Sequence, residues 1–421
     1  MSKSESRSPL QQAMREDARQ MIHSAIQAVM PDQAVRRALQ NRHFPGRVVL
    51  VAVGKAAWQM ADTASRCLNG KISAGAVITK YGHVRGPIPN VVCYEAGHPV
   101  PDENSFRATQ AVLDLVRGLS GQDTVLFLLS GGGSALFELP LIPGEELQDI
   151  TSQLLACGAD IVEINTIRKR LSAVKGGRFA QLCAPAHVDS IVLSDILGDP
   201  LDMVASGPAC PDHSTCFQAR NVAEKYHLRL SARAAQLLAQ ETPKTLENVE
   251  SHIVGSVREL CSAAADACRS LGYRPFILTD RLCCQAKEAG SFLASVACSH
   301  ADTNIPLAFL AGGETVVRLT GSGKGGRNQE LALSAAQGIA GLSNVLIFSV
   351  GSDGTDGPTD AAGGMADGNT VEQLFSQNIS VRCILENNDA YSALEQIDGL
   401  IITGPTGTNV NDVSVVLIRP A

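Results

Sequence analysis

"VVLVAVGKAAWQMADTASRCL", residues 48–68, is the stretch on which the fold turns. Six consecutive apolar residues, mostly Val, run into Gly54-Lys55 and then into an Ala-rich stretch with helical spacing. A strand apolar at every position must be covered on both faces, as in a parallel sheet flanked by helices. The same order of strand, small or polar turn and helix recurs at AGAVITK (74–80), DTVLFLLSGGGSALF (123–137) and VDSIVLSDILGD (188–199). Between them, PDENSFRATQAVLDLVRGL (101–119) and GEELQDITSQLLACG (144–158) read as helices. This alternation predicts a doubly wound, Rossmann-like α/β domain whose ligands bind beyond the carboxyl ends of the strands.

Upstream, Met14, Ala18, Met21, Ile22, Ala25 and Val29 repeat at helical spacing, and the pattern resumes after Pro31 through Leu39. These leading helices are assigned to the same domain. Downstream the strand grammar pauses around SARAAQLLAQETPKTLENVE (231–250), which puts a boundary near 247. The expected domains are therefore 1–247, Rossmann-like, and 248–421, a smaller mixed-sheet α/β domain. Strands of the latter are expected in PLAFLAGGETVVRL (306–319), VLIFSVGSDG (345–354) and SVVLIRP (414–420), with helices at 328–340 and 388–397. Two domains fit 421 residues, beyond the size at which single cores stop growing.

A formal net charge of −7 and a pI near 5.7 exclude a general nucleic-acid binder, which needs a basic surface. The one basic cluster, Arg168-Lys169-Arg170, reads as an anion-binding or solvated face. Twelve Cys without a C-x-x-C suit a reducing compartment, and Cys283-Cys284 fits neither a zinc site nor an ordinary bridge. The polar opening MSKSESRSPLQQAMREDARQ lacks the apolar centre of a signal peptide, and no run of about 18 apolar residues occurs. The expectation is a soluble cytoplasmic protein with no membrane or nucleic-acid partner; a homodimer is left open.

Chemistry-bearing residues gather at strand ends. Gly54 and Lys55 close the first strand, where a helix N-terminus and an ammonium can meet an anion. Ser130, Gly131, Gly132, Gly133 and Ser134 form a ribbon able to hold phosphate or substrate. Arg168, Lys175 and Arg178 surround a Gly-Gly turn and could hold a carboxylate or phosphate. Ser194-Asp195 and Gly198-Asp199 end another strand, where a carboxylate can take a proton or hold magnesium. His98 lies in the Gly/Pro-rich loop EAGHPVPD (95–102) and is the histidine of most interest. In the second domain Glu314 follows a Gly pair. Asp353, Asp356 and Asp360 space a Gly-rich turn without the pattern of a calcium loop.

GSGKGGRNQE (321–330) holds the sharpest ambiguity. Gly321, Gly323 and Gly326 satisfy G-x-G-x-x-G, and the apolar run before them reads as a strand feeding a helix, the signature of a dinucleotide turn. Yet Lys324 and Arg327 suit phosphoryl transfer, and no carboxylate arrives between Gly341 and Val350 to hold a ribose. Phosphate binding is the preferred reading.

Taken together, VAVGKAAWQMA, LLSGGGSALFELP, EINTIRKRLSAVKGGRFA, LSDILGDPLDMVASGP, AGGETVVRLTGSGKGGRNQELAL, SVGSDGTDGPTDAAGG and GPTGTNVNDV resemble, in order, the glycerate kinases with a carboxyl-terminal MOFRL domain, often labelled hydroxypyruvate reductase. The resemblance runs from about residue 48 to the end. It implies ATP-dependent phosphorylation of D-glycerate to 2-phosphoglycerate, with magnesium accompanying ATP. Lys55 and Arg327 match the family's active-site lysine and arginine, while Asp195 and Glu314 match other cleft positions. The expected active site lies in the cleft between the domains. Lys55, Arg327 and Asp195 are catalytic, and the glycines, Ser130, Ser134, Arg168, Lys175, Glu314, Lys324 and Asp353 contact substrate or phosphate. Lys55→Ala and Arg327→Ala are each expected to remove most turnover and leave the fold intact. The alternative function is an NAD(P)H-dependent hydroxypyruvate reductase.

Overall fold

The structure, a computed structural model, describes residues 7–198 and 200–420; Asp199 and the first six residues of the polar opening lie outside the described residues. The chain forms two compact units, one of residues 34–254 and one made of the residues up to Gln33 together with Gly255 onward. Among the described residues no helix is long and apolar enough to cross a membrane.

The first unit carries β1 (Val48–Val53), β2 (Ile72–Lys80), β3 (Val91–Ala96), β4 (Thr124–Leu129), β5 (His187–Leu193) and β6 (Val249–Gly255), ordered β3-β2-β1-β4-β5-β6. The pairs β1/β2, β1/β4, β2/β3 and β4/β5 are parallel. Alternate residues point to opposite faces. Val49, Val51, Val53, Val125, Phe127 and Leu129 therefore enter one core with Phe137 and Phe179. Leu50, Ala52, Leu126, Leu128, Ile191 and Leu193 enter another with Met60 and Ala64 of the helix Ala57–Leu68. Burial on both faces explains why these strands read as unbroken apolar runs. Growth of the sheet reverses at β1, and in open α/β sheets ligands bind beyond the carboxyl ends of the strands at such a reversal.

The second unit carries β7 (Arg274–Leu282), β8 (Leu307–Gly313), β9 (Val345–Gly351), β10 (Gly363–Asp367), β11 (Leu400–Ile401) and β12 (Asp412–Ile418), ordered β11-β10-β9-β12-β8-β7. Only β7/β8 is parallel; β12/β8, β12/β9, β10/β9 and β10/β11 are antiparallel, so the sheet is mixed as expected.

The expected division at 247 needs correction at both ends. β6 joins the first sheet, which moves the junction to 254/255, and the leading helix Pro9–Ala28 belongs to the second unit. Its buried face of Met14, Ala18, Met21, Ile22 and Ala25 packs on the helix Val257–Ser270 and on β9. The reason is coverage. The helices Ala286–Ser299 and Arg327–Gly338 cover one face of the second sheet, and the other needs apolar cover that the N-terminal helix supplies. Polar anchors fix it there. Arg7 and Arg15 both reach Asp367, at 3.0 and 2.9 Å, and Asp17 accepts from the Tyr273 hydroxyl at 2.6 Å and from Arg419 at 2.7 Å.

Candidate active site

The carboxyl ends of five parallel strands supply one polar cluster in the 34–254 unit. Lys55 follows β1, Lys80 ends β2, with His83 close behind, His98 follows β3, Ser130–Gly132 follow β4, and Asp195 follows β5. The Lys55 amide donates to Gly131 O at 2.9 Å, and the Ala56 amide to Ser130 Oγ at 3.1 Å, so the turns after β1 and β4 are clamped together. His83 Nδ1 lies 3.1 Å from Lys55 O. A Cβ on Gly131 would lie 2.2 Å from Asp195 Oδ2; one on Gly132 would lie 3.0 Å from the His98 ring and 3.2 Å from Lys55 Cγ. Only glycines let these three side chains close around the turn.

Electrostatics follow from this packing. Burial pushes the Asp195 carboxyl above the ordinary carboxylate range, and the Lys55 charge opposes the shift only in part. The His98 imidazole is pushed below its ordinary value, first by burial and then by Lys55, Lys80 and His83. The site thus offers a carboxylate of enhanced basicity and an imidazole held neutral beside a cation. Of these residues Lys80 and His83 were not singled out from the sequence. Their signal was that they, too, sit at the end of a parallel strand.

The basic segment 168–178 behaves otherwise. Lys175 is fully buried, its ammonium 2.5 Å from Glu138 and 3.0 Å from Phe137 O, and burial pulls its pKa down to about 8 against the attraction of Glu138. It is a core ion pair and not a ligand contact. Lys169 pairs with Asp202 and Asp212, both at 3.1 Å, and Arg170 is buried against Ser214, Asp212 and Glu241. For Lys169 and Arg170 this corrects the reading of the cluster as an anion site or solvated face. Arg178 closes the C-terminus of the helix Ile161–Leu171, donating to the carbonyls of Lys169 at 2.7 Å and Ser172 at 2.6 Å. Of the group, Arg168 alone reaches the β4 turn, donating to Ser134 O at 3.4 Å. Gly133 is buried.

In the second unit, β8 stops at Gly313, and the helix Arg327–Gly338 begins only after an irregular segment. The segment 316–319 is not strand, and Val316 and Leu319 are exposed, so the G-x-G-x-x-G is not the tight strand-to-helix turn that a dinucleotide fingerprint requires. The amides of Gly321, Ser322, Gly323 and Lys324 are already engaged by Asn388, Asn387 and Asp389, at 2.8–3.2 Å. Gly323 packs on Asp389, Gly326 packs on Asp356, and the Lys324 ammonium sits 3.8 Å from the centre of the Tyr391 ring. The glycines here serve close packing, which leaves any phosphate contact to side chains and to the amides of residues 325–327.

Arg327, the first residue of that helix, is held by Asp412 at 2.5 and 2.9 Å and by Glu314 at 3.0 Å. Burial would lower its pKa, but the hydrogen bonds and charge of Asp412 and the charge of Glu314 raise it instead. Asp356 accepts from the amides of Asn328 and Gln329, at 3.2 and 2.9 Å, and burial pushes it up to about 6. It caps the helix. Asp353 accepts from Thr355 N at 3.0 Å, and Asp360 accepts from the Tyr391 hydroxyl at 2.8 Å. Among the described residues, no three His, Cys, Asp or Glu are grouped to hold a metal by themselves.

Residues 17–239 match the family described as Domain of unknown function (DUF4147), and residues 307–412 match the MOFRL family. The chain is 52% identical to the D-glycerate 2-kinase of Thermotoga maritima over 413 residues, 97% of this chain and 99% of that protein. It is 38% identical to the glycerate 2-kinase of Pyrococcus horikoshii over 96% of this chain and 97% of that one. A crystal structure of glycerate kinase from Thermotoga maritima superposes with a TM-score of 0.94, covering 97% of this chain and all of that one. An Agrobacterium vitis protein at 37% identity carries the provisional name hydroxypyruvate reductase.

Proposed function

Because the chain belongs to the glycerate 2-kinase family that joins a DUF4147 domain to a MOFRL domain, we infer that it phosphorylates D-glycerate at the 2-hydroxyl. The observation that carries the mechanism is the meeting of Lys55, His98 and Asp195 around Gly131-Gly132 at the sheet's reversal point. The strand order supports reading the 34–254 unit as Rossmann-like.

ATP is the proposed phosphoryl donor. Asp195 accepts the proton of the C2 hydroxyl as its oxygen attacks the γ-phosphorus; the new O–P bond forms as the bond to the departing ADP breaks, and the proton later passes to solvent. Lys55 stabilises the charge on the moving phosphoryl group, and neutral His98 accepts or donates a hydrogen bond without adding charge. The proposal requires Arg327, from the other unit, to act on the same phosphoryl group. Magnesium brought by ATP needs only one or two protein carboxylates. Glu314 and Asp353 are hard oxygen donors only partly buried beside the Arg327–Asp412 pair, and so fit that role; the ion would neutralise phosphate charge. A cytoplasmic setting accords with twelve free thiols.

The deciding experiment incubates purified protein with D-glycerate and Mg-ATP, follows ADP and separates 2- from 3-phosphoglycerate, and in parallel offers hydroxypyruvate with NADH or NADPH. Glycerate-dependent ADP with 2-phosphoglycerate is expected. Hydride transfer without ADP would overturn the reading.

Asp195→Asn is expected to lower kcat about 100-fold or more, within the range for general-base catalysis, with little change in the KM for ATP. A loss that added magnesium restored would instead make Asp195 a metal ligand.

A further inference from the structure

Arg168 carries an unmet need. A guanidinium offers five N–H donors, yet among the described residues the one hydrogen bond of Arg168 is the long contact from Nη2 to Ser134 O, and its Nε is sealed from solvent with no partner among them. The carboxylate acting on it, Glu138, gives Oε2 to Lys175 at 2.5 Å and makes no hydrogen bond to Arg168 among the described residues. Two cations thus share one anion, which leaves a surplus positive charge beside Ser134. A planar fork in this state is matched by a ligand carboxylate.

Ser134 has a defined polarity. Its hydroxyl lies 3.1 Å from that of Ser206, and Ser206 gives its own proton to Asn165 Oδ1 at 2.9 Å. Ser134 is therefore the donor toward Ser206 and keeps its lone pairs for another group, so it presents an acceptor to a ligand. The arrangement is held by strained backbone. Ala205 and Ser206 have φ of 50° and 62°, left-handed values costly for non-glycine residues, and the amides of Gly176 and Gly177 pin the carbonyls of Ser206 and Gly207 at 3.0 and 2.7 Å. Ser206 is fully buried, so it acts through Ser134.

Resting on the kinase reading above, we propose that Arg168 and Ser134 form the subsite that selects the acceptor: Arg168 binds the carboxylate of D-glycerate and Ser134 accepts from its C3 hydroxyl, with Asn165 and Ser206 as positioning residues. C2 is then the hydroxyl left toward Asp195.

The test compares kcat/KM for D-glycerate, D-glyceramide and D-lactate with ATP. Glyceramide replaces the carboxylate by a neutral amide, and lactate lacks the C3 hydroxyl. Arg168→Met is expected to cut the glycerate-to-glyceramide ratio about 100-fold or more, the scale on which sites built for a polar group reject analogues lacking it, with the KM for ATP unchanged. Ser134→Ala is expected to cut only the glycerate-to-lactate ratio, about 10-fold. Each ratio is taken within one sample, so partial misfolding cancels, and Arg168→Lys, which keeps the buried charge, covers a failure of Arg168→Met to fold. An unchanged ratio in the Arg168 variants, or a raised KM for ATP with glycerate unaffected, overturns the proposal. If the wild-type protein made no ADP with glycerate, the kinase reading would fail on its own. Titration of D-glycerate into wild type and Arg168→Met would still decide the subsite, since loss of binding in the variant supports it and equal binding refutes it.

Discussion

Lys55→Met is expected to lower kcat about 1,000-fold, roughly 4 kcal/mol of transition-state stabilisation, which is the scale for deleting one charged group aimed at developing charge. The KM values for glycerate and ATP should change far less, because an interaction realised mainly in the transition state acts on kcat. Stability should hardly change. The Lys55 side chain is only half-buried, while the turn that carries it is fastened through backbone bonds, Lys55 N to Gly131 O and Ala56 N to Ser130 Oγ, that survive the substitution. Steady-state kinetics beside a thermal melt check both halves. Near-normal kcat would remove Lys55 from the chemistry.

Arg327→Ala is expected to lower kcat by at least about 1,000-fold as well, but here the expectation of an intact fold must be revised. Asp412 is buried and takes two hydrogen bonds from Arg327, so truncation strands a carboxylate in the interior at a cost of about 3–5 kcal/mol. The two effects can be separated. Adding Asp412→Asn removes the stranded charge, so the double variant should recover much of the lost melting temperature and none of the lost turnover. Recovery of turnover with stability would make Arg327 a structural residue alone.

How far the sequence disclosed the molecule depended on burial. VVLVAV and TVLFLL could be read because both faces of β1 and β4 are covered, which makes every position apolar. VVCYEA, now β3, and VESHIVG, now β6, lie half-exposed at the sheet's two edges and carry no such run. The β10 segment GGMAD has the composition of a turn, yet its glycines allow close approach to β9, where a Cβ on Gly363 would meet Ser349 O at 2.0 Å. Lys55, Asp195 and the diglycine were visible because strand ends are visible. Lys175 misled because its partner Glu138 is 37 residues away, and nothing local distinguishes a lysine bound for a core ion pair from one bound for a ligand. The reverse failure was G-x-G-x-x-G, a match of spacing without the strand that gives the spacing its meaning.

The N-terminal helix, finally, sets a schedule for biosynthesis. It leaves the ribosome well before its partner, and its apolar face waits for the helix Val257–Ser270, with the whole 34–254 unit made in between. At about 5–20 residues per second that wait is on the order of ten to fifty seconds. During it the 34–254 unit can close around its own sheet, whereas the other unit cannot start. The nascent chain thus carries a bare amphipathic segment through most of its translation, a handle for chaperones that bind such segments and a liability where they are scarce.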